Sequence, residues 1–509
     1  MKILGIELGS TRIKAVLIDE NANVIANGVS EWENELVDGF WSYPMTAVKS
    51  GMQEAYANLV KNYGQTITTV DRIGISAMMH GHLAFDKDDN LLVPFRTWRN
   101  TNASQASEIL SPLLSFHVPM RWSVAQYFQA VLNGEEHVKK IANINTLSGY
   151  VHYILTGKRV LGMNDASGIF PLYGDNYDEK MLEKFDTLLS SYDIKGNFKD
   201  LLPTVLPAGA NAGTLTQEGA KWLDPTGNLQ PGIEFCPPEG DMGTGIVATG
   251  SVAPLCGNIS SGTSANLTII LEKPLSSYYK ELDVIATPDG YPAVIIHTNN
   301  CTNEINEWIG VFDEALSLFG VKVDKNELFT KLFNHALTSD KNVGEMVGYN
   351  FLAGEGLANT DKGAPVLVRG QEGKLTLANL MQAQIYSAIA TLALGVDILD
   401  KEGIKIKSIL AHGGYYKTPI VGQSATSAVL KTPVTVMNTS SEGGAWGMAL
   451  LALYSTQNSI TLSAFLDKIF ANVEKTTLVA SDEEQKKCDE FISNYKKFLP
   501  VAQKASKVQ

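Results

Sequence analysis

A two-part α/β fold is what this sequence predicts, and three observations predict it. Short β-rich runs alternate with stretches of helical spacing along the chain. A strand, a Gly-Ser-Thr turn and a second strand near the start recur near the middle: Gly9-Ser10-Thr11 falls on Gly262-Thr263-Ser264, 253 positions later. The 509 residues also exceed what one core usually fills, at about 100–200 residues per domain. The recurrence reads as two similar halves, with chance repetition of a common turn as the competing reading. The halves would divide near residues 245–257, as 1–250 and 251–509.

The elements follow in order. Ile3–Leu8 and Ile13–Ile18 flank Gly9-Ser10-Thr11-Arg12 and read as a β-hairpin. Val24–Val29 reads as a third strand, Thr46–Tyr63 as a helix and Ile73–Ser76 as a short buried strand. Helices are expected over 123–132, with Ser123 as N-cap, and over 144–155, stopped by Thr156-Gly157. Glu239-Gly240-Asp241-Met242-Gly243-Thr244-Gly245 opens a helix, and Asn258–Leu271 is again strand, turn, strand. Leu377–Leu399 reads as a long apolar helix, and Ile406–Ala411 as a strand ending in His412-Gly413-Gly414. A helix over 419–430, a strand over 433–436 and a small-residue helix over 442–453 follow. The last 50 residues read as amphipathic helices, with Phe491, Tyr495 and Phe498 four and three apart.

Composition narrows the function. Apolar residues make up 44% and charged residues 19%, which fits a globular protein with a sizeable core. The formal charge of −13 repels a phosphate backbone, so nucleic acid is not an expected partner. A small anion held locally by backbone N–H groups and a magnesium ion remains compatible with that charge. Cys236, Cys256, Cys301 and Cys488 show no C-x-x-C spacing, which argues against a disulfide framework or zinc cluster and suits a reducing cytoplasm. Met1-Lys2-Ile3-Leu4-Gly5-Ile6-Glu7 lacks the long uncharged run of a secretory leader, and no stretch reads as the roughly 20 apolar residues of a membrane span. The expectation is a cytoplasmic protein without membrane contacts.

Six segments together resemble one family: GIELGSTRIKAVLID, ISAMMHG, ILTG, EGDMGTG, ISSGTS, and GGYYKTPIVGQSATSAVLKTPV followed by EGGAWGMALLA. In this order and spacing the chain resembles the FGGY carbohydrate kinases, xylulokinase-like members in particular, from Gly5 to about Phe498. The resemblance implies two actin-like (ribonuclease H-like) ATPase domains flanking a cleft, the fold shared with hexokinase and the heat-shock 70 chaperones. It implies ATP and Mg2+, a small sugar as partner, and MgATP bound between the halves; a homodimer stays open. Residues 1–250 would carry the sugar site, first phosphate loop and catalytic base. Residues 251–509 would carry the second phosphate loop, the adenosine site and the C-terminal helices.

The chemistry of phosphoryl transfer fits these residue types. It needs donors around the phosphates, a divalent ion and an oriented hydroxyl nucleophile. Turns rich in Gly, Ser and Thr offer N–H groups and hydroxyls, and glycine permits close approach. The resemblance assigns Ser10, Thr11, Lys14, Gly262, Thr263, Gly413, Gly414 and Thr418 to ATP, with Ser264 completing the second turn. An ordinary hairpin is the bland reading of each turn, and a solvated strand residue that of Lys14. Glu7 stands where the family usually has a magnesium-coordinating Asp, often through water; a strand-end surface acid is its alternative. Asp241 matches the family's general base, which must be ionised and within about 3 Å of the attacking hydroxyl. An N-cap is its structural alternative. Met79 and His80 match a Met-His pair lining the sugar site, against a buried histidine bonded to the backbone; His82 reads as structural.

Two segments depart from the family's pattern. Its usual W-N-D-x-R reads Trp98-Arg99-Asn100-Thr101-Asn102, and its G-W-x-E-x-D-P reads Gly39-Phe40-Trp41-Ser42-Tyr43-Pro44. The acids are gone, which bears on the sugar and not on ATP. A D-xylulose-like ketose leads, before L-ribulose, another ketose or a polyol. A chaperone-like ATPase or a sugar sensor of the same superfold is the rival class. A dinucleotide enzyme lacks its G-x-G-x-x-G after the first strand.

Overall fold

A computed structural model describes residues 1–437, 443–457 and 459–508. Glu442, expected to open a helix, lies outside the described residues. The chain forms two compact units. The first comprises Met1–Val252, Glu272–Ala293 and the described part of Ser440–Asn472; the second comprises the described parts of Ala253–Leu271, Val294–Thr439 and Val473–Gln509. Residues 443–472 therefore pack with the first unit, although they lie beyond the division at 250/251.

In the first unit a sheet runs in the order Glu234–Phe235, Arg72–Ala77, Ile3–Leu8, Arg12–Ile18, Val24–Glu31, with Glu239–Gly240 also pairing with Arg72–Ala77. Ile3–Leu8 pairs antiparallel with Arg12–Ile18 and parallel with Arg72–Ala77, so that Glu7 faces Lys14 on one side and Ser76 on the other. Ile3, Leu4, Ile6 and Leu8 are all buried, as a central strand covered on both faces requires. Helix Met45–Tyr63 buries Val48, Met52, Ala55 and Leu59 against this core. The other face receives helix Gly443–Tyr454. A Cβ on Gly5 would stand 2.3 Å from the Ala445 carbonyl oxygen and 2.6 Å from the Ala449 nitrogen. Only glycine lets that helix lie so close to the strand.

In the second unit the strand order is Pro292–Thr298, Ala265–Ile270, Cys256–Ser261, Ser408–His412, Val434–Met437, Lys475–Leu478. Cys256–Ser261 pairs antiparallel with Ala265–Ile270 and parallel with Ser408–His412. Each unit thus opens its sheet with a hairpin whose first strand also pairs in parallel with a later one.

Several sequence expectations need correction. Leu377–Lys401 is long and apolar enough to cross a bilayer, contrary to the absence expected; but most of it is buried inside the protein, which makes it a core helix. Ser123 is not an N-cap but the first residue of helix Ser123–Leu132, after Trp122, and its hydroxyl donates to the Gly81 carbonyl. Helix Leu147–Thr156 begins later than 144 because Thr146 caps it, accepting from the Gly149 N–H. The helix after Pro419 runs Val421–Leu430. The C-terminal stretch contains strand Lys475–Leu478 between helices Leu462–Ile469 and Asp482–Val508.

Candidate active site

Three neighbouring parallel strands of the first unit end at the same level. Glu7 pairs with Ser76 and Leu8 with Ala77; Glu239 pairs with Ser76 and Gly240 with Ala77. The chain then continues into Gly9, into Met78-Met79-His80, and into Asp241. Carboxyl ends of adjacent parallel strands are where open α/β sheets bind ligands. Glu7, Lys14, Met79, His80 and Asp241 are brought together there.

Asp241 is the first residue of helix Asp241–Ala248, and Gly240 holds the N-cap position, so the N-cap alternative falls. Its half-buried carboxylate accepts the Met79 N–H at Oδ1, 3.3 Å away. Burial pushes its pKa up to about 6, against backbone N–H bonds from Met79 and Met242 that pull it down. It remains mostly ionised at pH 7.

Glu7 is half-buried rather than a surface acid, and its Oε2 accepts the Ala445 N–H at 3.2 Å. Burial, then the charge of Asp241, push it up to about 7; Lys14 and the Ala445 N–H pull the other way. A Cβ on Gly444 would lie 2.3 Å from Glu7 Oε1, so a bare backbone is required beside the carboxylate. Lys14 is half-buried beside Glu7 in register, not a solvated strand residue.

Met79 and His80 are buried. His80 takes the left-handed conformation (φ 68°), as does Gly81 after it (φ 88°), turning the chain sharply off the strand end. Its Nδ1 lies 3.4 Å from the Gly168 carbonyl, and its ring stacks on Trp122 at 5.9 Å. Burial depresses its pKa to about 3, so the imidazole is neutral. His82, with both ring nitrogens buried and unpartnered, lies in a separate group with His137 and Arg96.

The first turn is built from outside itself. Gly9 N–H donates to the Arg12 carbonyl at 2.9 Å. Trp32 Nε1 donates to Gly9 O at 2.7 Å, Tyr43 Oη to Ser10 O at 2.6 Å, and Trp32 N–H to Thr11 O at 3.2 Å. Trp32 and Tyr43 stack at 4.2 Å. Three successive carbonyls are thus turned inward and satisfied by donors from residues 32 and 43.

The second unit treats its own turn likewise. Gly262 N–H bonds the Ser264 carbonyl, while Thr302 N–H and Oγ1 take Gly262 O and Cys301 N–H takes Thr263 O, at 2.7–3.1 Å. Gly413, at φ 111°, lies against the end of this hairpin, where a Cβ would stand 2.3 Å from the Ser261 carbonyl oxygen. Gly414 begins the turn Gly414–Tyr416, and Thr418 is buried.

The two segments that depart from the family's pattern hold each other. The Asn100 amide accepts the Trp41 N–H at 2.8 Å and donates to the Trp41 carbonyl at 2.9 Å; the Arg99 guanidinium lies 3.8 Å from the centre of the Trp41 ring. Sequence reasoning missed the bracing by Trp32 and Tyr43, the arrival of Gly444 and Ala445 at Glu7, and the buried acids Asp165 and Glu239. The last had a visible signal: acidic residues set among small and apolar ones, in Met163-Asn164-Asp165-Ala166-Ser167 and Pro238-Glu239-Gly240.

Comparison with known proteins follows the same outline. The N-terminal domain of the FGGY family of carbohydrate kinases matches residues 2–226, and its C-terminal domain matches residues 257–456. A xylulose kinase of Haemophilus influenzae is 22% identical over 97% of this chain and 98% of its own. The crystal structure of xylulose kinase from Rhodospirillum rubrum superposes with a TM-score of 0.81 at 15% identity, covering 100% of both chains. That of gluconate kinase from Lactobacillus acidophilus gives 0.80 at 17%, covering 100% of this chain and 99% of the other. The fold is that of the actin-like ATPases.

Proposed function

Since the chain belongs to the FGGY family of carbohydrate kinases and is a sugar kinase, we propose that it moves the γ-phosphate of MgATP to a hydroxyl of a small ketose, D-xylulose-like, with Asp241 as general base. The observation that carries this is Asp241 at the end of three adjacent strands, ionised and partly open, beside Met79 and His80. Met79 N–H holds one carboxylate oxygen and Met242 N–H also bonds the carboxylate, whose remaining lone pairs can accept the sugar hydroxyl. As that hydroxyl oxygen bonds the γ-phosphorus, its proton passes to Asp241 and the bond to ADP breaks, the leaving oxygen keeping the electron pair. Neutral His80, its Nδ1–H given to the Gly168 carbonyl, leaves Nε2 to accept from a sugar hydroxyl, while Met79 walls a C–H face. Ser10, Thr11 and Lys14 would meet the phosphates, and Gly262, Thr263, Gly413, Gly414 and Thr418 would serve the nucleotide.

Glu7 suits a magnesium ion. Its carboxylate and that of Asp241 are neighbouring like charges, and Mg2+ commonly takes one or two carboxylates plus phosphates and waters. Among the described residues no cluster of three His, Cys, Asp or Glu could hold a metal by itself. Glu7 would hold the ion, directly or through water; when bound, it would offset charge on the phosphates. The four free cysteines fit the cytoplasmic setting proposed for this reaction.

Asp241→Asn tests the reading. The amide keeps the shape and loses the basicity, so kcat should fall by about 10²–10⁴-fold while sugar and nucleotide still bind by calorimetry. Turnover within a few-fold of wild type would refute the base. In the wild type, kcat/KM should decline as pH falls through about 6, where Asp241 takes up its proton. An ADP-release screen over pentuloses, hexuloses, polyols and gluconate identifies the acceptor; preference for gluconate would displace the ketose.

A further inference from the structure

The roles just given leave two fully buried acids unused. Asp165 and Glu239 are each 1% exposed, and neither takes part in an ion pair among the described residues. Asp165 Oδ2 receives the hydroxyls of Thr146, at 2.6 Å, and Ser148; its own N–H donates to Glu239 Oε2 at 3.1 Å. Each acid keeps one buried oxygen without a partner, Oδ1 of Asp165 and Oε1 of Glu239. An ionised carboxylate buried without a cation is costly, so a proton on such an oxygen is the cheaper state.

These acids sit in a clasp around Asp241. Gly162 N–H donates to Pro238 O at 2.7 Å, Asp165 N–H reaches Glu239, and Asn164 Oδ1 accepts the Gly243 N–H at 2.9 Å. The Asn164 amide also donates to Ala286 O at 2.8 Å. Three bonds therefore grip the chain from 238 to 243, on both sides of Asp241.

We propose that Asp165 and Glu239 are positioning residues for Asp241: a neutral buried acid pair that fixes the turn carrying it and keeps further negative charge away from its carboxylate. This rests on the reading of Asp241 as the base. Burial pushes Asp165 up to about 7 despite the two hydroxyls, and pushes Glu239 well above the usual carboxylate range. The other titratable groups facing the pair are Asp241, Tyr177 and Cys236, with Arg72 reaching Cys236. Above its pKa Asp165 would add a charge close to Asp241, and two such neighbours titrate as a coupled pair.

Asp165→Asn and Glu239→Gln, made separately so that one can fail to fold without ending the test, keep shape and remove the proton. Two readouts are taken on each, the pH profile of kcat/KM and the melting temperature across pH 4–8. Because each amide replaces a carboxyl that is neutral where Asp241 takes up its proton, the acid limb should stay where the wild type has it. For Asp165, a folded pKa raised above the unfolded one means stability lost as pH rises from about 4 through about 7. Wild type should therefore lose ground to Asp165→Asn over that window and hold a constant difference above it. A constant difference across the window, or an acid limb displaced from that of the wild type, would overturn the proposal. If Asp241→Asn proves active the base reading fails by itself, and the melting series still judges the buried pair.

Discussion

The two glycine-hydroxyl turns solve one problem by different means. Around Gly9-Ser10-Thr11, carbonyls are taken mainly by side chains, the Trp32 indole and the Tyr43 hydroxyl, brought from residues more than 20 positions away. Around Gly262-Thr263 they are taken mainly by backbone N–H groups of Cys301 and Thr302. The hairpins differ in length as well: Leu8 pairs with Ile13, but Ser261 with Ala265. Where the first strand carries Glu7, the second carries Ser260. A turn of this kind can thus be braced by any donors that occupy its carbonyls, but of the two hairpins only the first adds a carboxylate. Its bracing is also the more vulnerable, because many point substitutions can remove a side-chain donor whereas only proline removes a backbone one.

That difference can be broken in steps. Trp32→Phe keeps a ring against Tyr43 and deletes the indole donor, leaving a partly buried carbonyl unpaired. The expected cost is about 1–3 kcal/mol of stability, with nucleotide binding weakened, read by thermal melting and calorimetry. Unchanged nucleotide affinity would show that the first turn does not meet the phosphates. Tyr43→Phe removes one hydroxyl from Ser10 O and should cost about 0.5–1.5 kcal/mol, with a smaller rise in the nucleotide dissociation constant. Thr302→Val removes a hydroxyl from Gly262 O but leaves the backbone N–H of residue 302 in place. Its effect should be least, at or below about 0.5 kcal/mol, the low end for one lost hydrogen bond. A Thr302→Val defect as large as that of Trp32→Phe would erase the distinction between the turns.

Sequence reading reached both hairpins because each is local: β-branched runs on either side of a Gly-Ser/Thr turn need no distant partner to be recognised. Asp241 was legible for the same reason, in a short segment opening a helix. Trp32 and Tyr43 were not, because nothing local marks an aromatic as the donor to a carbonyl far along the chain. Asn100 read as a lost acid, whereas its amide spans the Trp41 backbone in both directions, a pairing visible only once the strands are placed. Leu377–Lys401 shows the converse. A helix of nearly continuous apolarity has no face to read, and only packing places it in a core.

The helix Gly443–Tyr454 that lies on Gly5 has a consequence for synthesis. The strand it covers leaves the ribosome 435 residues before the helix begins to emerge. At about 5–20 residues per second, Ile3–Leu8 waits for tens of seconds with one apolar face uncovered. The nascent first unit is therefore incomplete, and a chaperone that shields apolar strands would find its longest opportunity there. A fragment ending at Val252 should stay aggregation-prone however long it is given to fold, because the residues that seal its sheet, and that bring the Ala445 N–H to Glu7, have not been made.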